Sequence, residues 1–171
     1  MNVLYRGLLT LEACSWMLIV FVVKNETPIL GVDPFLIAAI LATLTVLLAF
    51  LSIKLSKLLG SESDIEGCRV CELVDGSFLP VYLGYFFVSL SVPNWSVMVV
   101  VFGIVFVFTY LSQTQLFNPL FLLFGYHYYH IITKNGSAIF VIACGTVFRN
   151  AEAIHIGNLR RINNMTYIER N

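Results

Sequence analysis

The feature that most constrains the fold is a run of nineteen residues, 35–53 (FLIAAILATLTVLLAFLSI), that carries no charged side chain. A helix needs about 20 mainly apolar residues to cross the hydrocarbon core of a bilayer, and about 17 suffice. Residues 8–23 form a shorter candidate. Only 12% of the chain is charged and 58% is hydrophobic, whereas soluble domains carry about 25% charged residues. We therefore expect an integral membrane protein.

A third apolar tract, residues 78–111, is too long for one span. It is interrupted at SVPNWS, where Pro93 and Asn94 favour a tight turn and Trp95 suits a membrane interface. We divide the tract into two short helices that form an αα-hairpin. The sequence thus predicts an α-helical transmembrane domain over residues 1–111. Its four transmembrane helices are expected at about 7–23, 34–55, 77–92 and 95–111.

The distribution of cations predicts the orientation of these spans. Lys and Arg are enriched in cytoplasmic segments near span ends, and Arg6, Lys54 and Lys57 fit an inner N-terminus. Of the ten Lys and Arg residues, only Lys24 then lies outside. Both termini and the charged loop 61–76 are predicted to be cytoplasmic. If 78–111 were a single bent span, the C-terminal tail would instead lie outside.

The tail, residues 112–171, is predicted to build a small β-rich cytoplasmic module together with the charged loop. Residues 125–145 (GYHYYHIITKNGSAIFVIACG) predict a hairpin whose Asn135-Gly136 pair suits a two-residue type I′ turn. An isolated hairpin is marginal in water, so a third strand is required. The CRVCEL and TYIER segments are candidates for it. Asn118 before a proline predicts the N-cap of a short helix.

Two cysteines and two histidines raise the possibility of a metal site. Cys68, Cys71, His127 and His130 would make a Cys₂His₂ zinc set. If both stretches are strands, residues three apart face opposite sides of the sheet, which disfavours convergence on one ion. We therefore expect structural roles for these four residues and predict no cofactor.

Glu12 is the one acidic residue well inside a predicted span. Intramembrane carboxylates often line a pathway or pair with a neighbouring helix, although Glu12 is also close enough to Arg6 to reach the inner interface. A small oligomeric channel or transporter with Glu12 near a pore is therefore one alternative function. The sequence contains no H-E-x-x-H, G-x-S-x-G or P-loop motif, and we predict that the chain is not an enzyme.

The order of these segments resembles the KwaA family, the membrane subunits of the bacterial Kiwa anti-phage defence system. The resemblance covers essentially the whole chain and is carried by CRVCELVDGSFLPVYLGYFF, LFNPLFLLFGYHYYHI and the terminal LRRINNMTYIER. It implies a four-helix protein of the inner membrane that forms a homo-oligomer, expected to be a tetramer. It also implies a sensor of phage-induced membrane disturbance that recruits a soluble DNA-binding partner, KwaB, on the cytoplasmic side.

The polar end of the chain is the predicted docking surface for such a partner, because polar and basic groups cluster after the hairpin. The net charge is zero, so direct binding of nucleic acid is not expected. A solvated terminal segment and an anionic lipid surface are the alternatives for this stretch. An immunity or regulatory membrane protein with another cytoplasmic partner remains an alternative function. The candidate partner-binding residues are Arg149, Arg160, Arg161, Asn163 and Tyr167.

Overall fold

The computed structural model describes residues 2–26, 31–61, 65–112, 118–145 and 155–169. Its helices are α1 (Asn2–Asn25), α2 (Pro34–Leu55), α3 (Leu79–Ser91), α4 (Trp95–Leu111) and α5 (Pro119–Leu123). Its strands are β1 (Ile65–Glu66), β2 (Cys68–Leu73), β3 (Tyr126–Thr133), β4 (Ala138–Cys144), β5 (His155–Ile156), β6 (Leu159–Arg161) and β7 (Thr166–Glu169). A 3₁₀ turn at Asp75–Phe78 leads into α3.

Two of the helices, α1 and α2, are long and apolar enough to cross a membrane. The other two apolar helices are shorter: α3 has 13 residues and α4 has 17. At about 1.5 Å per residue they measure about 20 Å and about 25 Å. All four helices lie where the sequence predicts spans, although α1 begins several residues earlier. Asp33 caps α2 by accepting the Phe35 backbone N–H at 2.8 Å.

The first helix, α1, lies at the centre of the bundle and packs against α2, α3 and α4. Its two cations bind the carboxyl ends of neighbouring helices. Arg6 donates from Nη2 to the Tyr110 carbonyl at 2.9 Å, and Lys24 donates from Nζ to the Val92 carbonyl at 2.6 Å. The last carbonyls of a helix lack intrahelical partners and carry partial negative charge, so both contacts are favourable. These two hydrogen bonds place the C-terminal end of α4 beside the start of α1. They place the C-terminal end of α3 beside the C-terminal end of α1.

A mixed five-stranded sheet in the order β2-β3-β4-β7-β6 forms the second part of the molecule. All neighbouring strands are antiparallel except β4 and β7, which are parallel. Tyr128, Ile142 and Ile168 on one face pack against the helices. Tyr129 and Val141 on the other face join a second apolar cluster. Both candidates for a third strand therefore enter the sheet, as β2 and β7.

The β3–β4 hairpin differs from the predicted turn. Gly136 has φ +84°, whereas Asn135 does not have a positive φ. The Gly136 N–H donates to the Thr133 carbonyl at 2.9 Å, and the Thr133 N–H donates to the Ser137 carbonyl at 3.0 Å. This geometry fits a three-residue connection with glycine in the left-handed position, so the two-residue type I′ prediction was wrong. One left-handed residue is enough here, and glycine adopts it without a steric cost.

The arrangement of Cys68 and Cys71 also differs from the prediction that they face opposite sides of a strand. The register of β2 on β3 shifts between Cys68 and Val70, which leaves Arg69 as an extra residue. Because the bulge inserts one extra residue, side chains three positions apart now point to the same face of the sheet. Both cysteines accordingly join the apolar cluster on the outer sheet face.

Candidate functional site

The most unusual local environment in the molecule surrounds Glu12, whose side chain is fully buried in α1. One carboxylate oxygen, Oε1, accepts a hydrogen bond from Ser52 Oγ of α2. The other, Oε2, accepts a hydrogen bond from Asn118 Nδ2 at 2.8 Å. Buried carboxylates are costly unless each oxygen finds a donor. Glu12 therefore joins three separate parts of the chain: α1, α2 and the residue that precedes α5.

Asn118 links this carboxylate to the sheet. Its Oδ1 accepts the Leu120 N–H at 3.0 Å, which caps α5 as predicted. Its backbone N–H donates to Tyr128 Oη at 2.9 Å, and Tyr128 Oη donates to the Asn118 carbonyl at 3.0 Å. Asparagine suits this position because its amide can accept at the helix N-terminus and donate to Glu12 at once. We call Glu12, Ser52, Asn118 and Tyr128 the polar junction.

An apolar shell encloses the polar junction. The Tyr5 hydroxyl donates to the Ser52 carbonyl at 3.1 Å on its helical side. On its sheet side, burial raises the pKa of the Tyr128 hydroxyl above its usual range, which keeps the group protonated. Polar groups in such a shell have no access to water, so breaking one bond leaves its partner unsatisfied. The buried shell residues are Tyr5, Leu9, Ala49, Leu59, Leu120, Phe121, Tyr126, Ile142, Ile162 and Ile168.

A second tether joins the same strand to the start of α3. Asp75 Oδ1 accepts the Tyr128 backbone N–H at 2.7 Å, and Asp75 Oδ2 lies 2.7 Å from His127 Nδ1. The Val74 N–H also donates to the Tyr128 carbonyl at 2.8 Å. Strand β3 is thus fixed to Asn118 through the Tyr128 hydroxyl, and to the α3 entry through its backbone; Asn118 in turn binds Glu12 of α1.

The predicted intramembrane site, Glu12, is therefore directed into the protomer. Its contacts fit the expectation that it pairs with a neighbouring helix. A pore formed between copies of the chain would not be lined by a fully buried side chain. The predicted channel function thus gains no support from the position of Glu12.

Three of the predicted partner-binding residues, Arg160, Arg161 and Asn163, make internal hydrogen bonds. Arg160 donates from Nη1 to the Leu59 carbonyl at 2.9 Å, which ties β6 to the segment after α2. Asn163 is buried, and its Oδ1 accepts the backbone N–H groups of Met165 and Thr166, each at 2.8 Å. These bonds shape the β6–β7 connection.

The remaining candidates differ in accessibility. Arg161 is half-buried, and its Nη2 donates to Asn164 Oδ1 at 3.0 Å. Tyr167 on β7 is half-buried beside the outer apolar cluster. Arg149 lies outside the described residues. The docking-surface assignment stays a prediction, and Arg160, Arg161 and Tyr167 are its half-buried described members.

The predicted cysteine and histidine set does not converge. His127 contacts Asp75, while His130 lies on the opposite side of β3 and packs against Phe140, with the ring centroids 5.0 Å apart and the planes tilted by 32°. Burial raises the pKa of the Cys71 thiol to about 11. Within the described part of the chain, no group of three or more potential metal-ligating side chains comes together.

A comparison with protein families identifies the chain. The family model described as anti-phage protein KwaA matches residues 5–168. The chain belongs to the KwaA family. The matched range includes all four members of the polar junction as well as both candidate membrane helices and the five-stranded sheet. No curated protein and no solved structure matches the chain. Family membership makes it an anti-phage defence protein.

Sequence reasoning did not find the partners of Glu12. Asn118 was predicted only as a helix cap, and Ser52 and Tyr128 were not singled out. A signal was nevertheless present, because a carboxylate inside an apolar helix requires donors from elsewhere in the fold. Which donors reach it depends on the packing of α1 against α2 and α5, which the sequence pattern does not specify.

Proposed function

We propose that the chain is the membrane-embedded sensor and scaffold of an anti-phage defence complex. In this proposal four helices span the bacterial inner membrane, both termini are cytoplasmic, and copies of the chain assemble into a homo-oligomer, expected to be a tetramer. The assembly recruits the soluble DNA-binding effector KwaB on the cytoplasmic side. The proposal assigns no chemical reaction and no direct nucleic-acid contact to this chain.

The positions of the cations support this orientation. Arg6 lies at the start of α1, and Lys54 and Lys57 lie at the end of α2. The Tyr5–Ser52 hydrogen bond brings these two helix ends together. Because the sheet packs on the same end, the positive-inside rule favours a cytoplasmic sheet.

The observation that carries the sensor function is the polar junction. A sensor must transmit a change in its membrane helices to a surface that a soluble partner can contact. The junction joins α1 and α2 to the α5 entry and β3 through buried hydrogen bonds. Hydrogen bonds of this kind have discrete arrangements, so a shift of one helix forces a choice between keeping and breaking them.

The structure also changes how the docking surface should be tested. Deleting residues 149–171 would remove β5, β6 and β7 and expose the edge of β4 that hydrogen-bonds to β7. A loss of partner binding would then reflect an unfolded sheet. Charge reversal of Arg161 is the sharper test, and Lys134→Glu at the exposed β3–β4 turn is a matched control.

The experiment co-expresses the tagged full-length chain with KwaB in a bacterial host and measures co-purification and protection against phage. We expect Arg161→Glu to reduce co-purification while Lys134→Glu does not. We expect Glu12→Leu to abolish protection while Glu12→Gln retains it. Full protection by Glu12→Leu at normal protein levels would refute the proposal that the polar junction transmits changes in the helices to the sheet. Unchanged KwaB binding by Arg161→Glu would refute the docking surface.

A further inference from the structure

An apolar slot beside the polar junction provides a binding site for one further molecule. Its walls are almost wholly apolar, and its volume is about 310 Å³. Trp16 of α1 contributes one wall, Leu79 and Leu83 of α3 another, and Pro119, Leu120 and Leu123 of α5 the third. Among the lining residues only Trp16 and Tyr82 carry a polar side-chain atom, so the slot suits a hydrocarbon chain better than a polar metabolite.

The depth of the slot within the membrane indicates which kind of hydrocarbon chain can reach it. Arg6 and Lys24 lie about 27 Å apart along α1 at about 1.5 Å per residue, close to the hydrocarbon thickness of about 30 Å. Trp16 lies about 15 Å from the Arg6 end by the same rise, near the middle of that layer. The mouth is lined by exposed leucines: Leu79, Leu83 and Leu123 are 54%, 49% and 73% exposed. At this depth the molecules that surround the mouth are acyl chains.

We propose that the slot binds one acyl chain of a bilayer phospholipid, and that the bound chain affects the Glu12–Asn118 hydrogen bond of the polar junction. Pro119 and Leu120, which form the α5 wall, directly follow Asn118, the donor to Glu12. Trp16 lies one helical turn after Glu12. A chain that enters or leaves the slot therefore contacts residues on both sides of the Glu12–Asn118 hydrogen bond. The inference rests on the membrane-spanning arrangement of the proposed function.

A second copy of this chain is the competing occupant, because it too could cover an exposed apolar mouth. The slot is lined on three sides by separate helices and is small, at the lower end of the range for ligand sites. A helix from another copy would insert only single side chains there. A flexible acyl chain can follow the slot along its length, so lipid is the occupant that the shape favours.

The test uses the two tryptophans of the chain as probes of bromine-labelled lipid. The full-length Trp95→Phe variant, reconstituted in vesicles of phosphatidylcholine brominated at mid-chain, reports on Trp16 alone. The Trp16→Phe variant reports on Trp95, which packs edge-on against Phe21 at a ring distance of 4.8 Å near the opposite end of α1. We expect strong quenching of Trp16 by mid-chain bromines and quenching of Trp95 by bromines near the headgroup.

A slot-filling substitution and a matched control make the test specific. In the Trp95→Phe background, we expect Leu83→Phe to lower the quenching of Trp16 by roughly half, because the larger ring fills part of the slot. Leu44→Phe on α2, with 50% exposure against 49% for Leu83, should leave it unchanged.

The failures of the two proposals are distinguishable. If Trp95 is quenched but Trp16 is not, the lipid occupant is refuted while the membrane-spanning arrangement survives. Quenching of Trp16 that appears only when protein is diluted in the bilayer would show that a second copy covers the slot, which also refutes it. If neither tryptophan is quenched by bromines at any depth, both proposals are wrong.

Discussion

The two long apolar helices differ in a way that hydropathy does not capture. Helix α2 is the more apolar of the two, yet only 22% of its most apolar window is buried, against 50% for α1. The lower hydropathy of α1 comes in part from Arg6, Glu12 and Lys24. Each of these three side chains binds another segment of the protein.

Polar residues therefore mark the helix that holds the other segments of this fold in place. An exposed apolar helix can be surrounded by lipid without any specific partner. A helix that holds others in place must offer directional contacts, and α1 does so at its start, its middle and its end. We therefore compare how much the polar side chains of α1 and the apolar surface of α2 each contribute to the free energy of unfolding.

The largest expected effect comes from making α1 more apolar. Glu12→Leu raises the hydropathy of α1 but leaves Ser52 Oγ and Asn118 Nδ2 buried without their acceptor. At about 1–3 kcal/mol for each unsatisfied group, we expect a loss of about 2–6 kcal/mol. Thermal or denaturant unfolding of the full chain in detergent measures it.

The matched control for this change is Glu12→Gln. The glutamine amide can donate to Ser52 Oγ and accept from Asn118 Nδ2, so both partners remain satisfied. We expect a loss below about 1 kcal/mol. If the leucine and glutamine variants have the same unfolding midpoint as the wild type, the Glu12 hydrogen bonds do not hold α1 in place.

A pair of leucine truncations compares the two helices directly. Leu9 of α1 is 1% exposed, whereas Leu47 of α2 is 59% exposed. Removing a buried leucine side chain costs about 2–5 kcal/mol, so Leu9→Ala should destabilise by that amount. Leu47→Ala should cost less than about 0.5 kcal/mol, as surface substitutions do. Equal losses in the same unfolding assay would mean that α2 packs as tightly as α1.

A smaller effect is expected at the sheet side of the polar junction. Tyr128→Phe removes one hydroxyl and leaves the buried Asn118 N–H without a partner, while the Asn118 carbonyl still accepts the Phe121 N–H at 3.0 Å. We expect a loss of about 1–3 kcal/mol in the unfolding assay. Tyr126→Phe, on the same sheet face but outside the junction, is the control. A larger loss in the control would contradict the assignment of Tyr128 to the junction.

The smallest effect concerns Glu169, the half-buried acid of the sheet. Its Oε2 accepts the Cys144 N–H at 3.0 Å, and burial raises the pKa of this carboxyl above its ordinary value. Because the folded state binds its proton more tightly, the stability from Glu169 is present below the unfolded pKa and is lost as pH rises through the folded pKa.

Glu169→Gln keeps the acceptor but cannot ionise. Unfolding midpoints measured from pH 4 to pH 8 should therefore fall less with rising pH in this variant than in the wild type. An unchanged slope would show that Glu169 has the same proton affinity in both states. Since the group is partly solvated, we expect this to be the weakest of the four effects.

The sequence predicted local elements better than long-range contacts. The four apolar helices, the hairpin, the Asn118 cap and the entry of β2 and β7 into the sheet follow from apolar runs, turn residues and strand formers, which act over a few residues. The bulge at Arg69 and the three-residue turn at Gly136 did not, because register depends on pairing with β3 and β4.

The candidate site was predicted only in part. Glu12 was recognisable because an acid inside an apolar run is costly wherever it lies. Its donors, Ser52 and Asn118, are 40 and 106 residues away along the chain. Nothing in the local pattern connects such distant positions. Family membership gave the biological role, while the junction itself became apparent only from the folded arrangement.

Hydrogen exchange in the sheet is the most direct test of coupling between the apolar helices and the five-stranded sheet. The full chain would be compared with Glu12→Leu and Glu12→Gln in the same lipid nanodiscs, with exchange read at the amides of β3 and β4. We predict that Glu12→Leu accelerates exchange in these strands while Glu12→Gln does not. Faster exchange confined to α1, with the sheet as protected as in the wild type, would contradict the account.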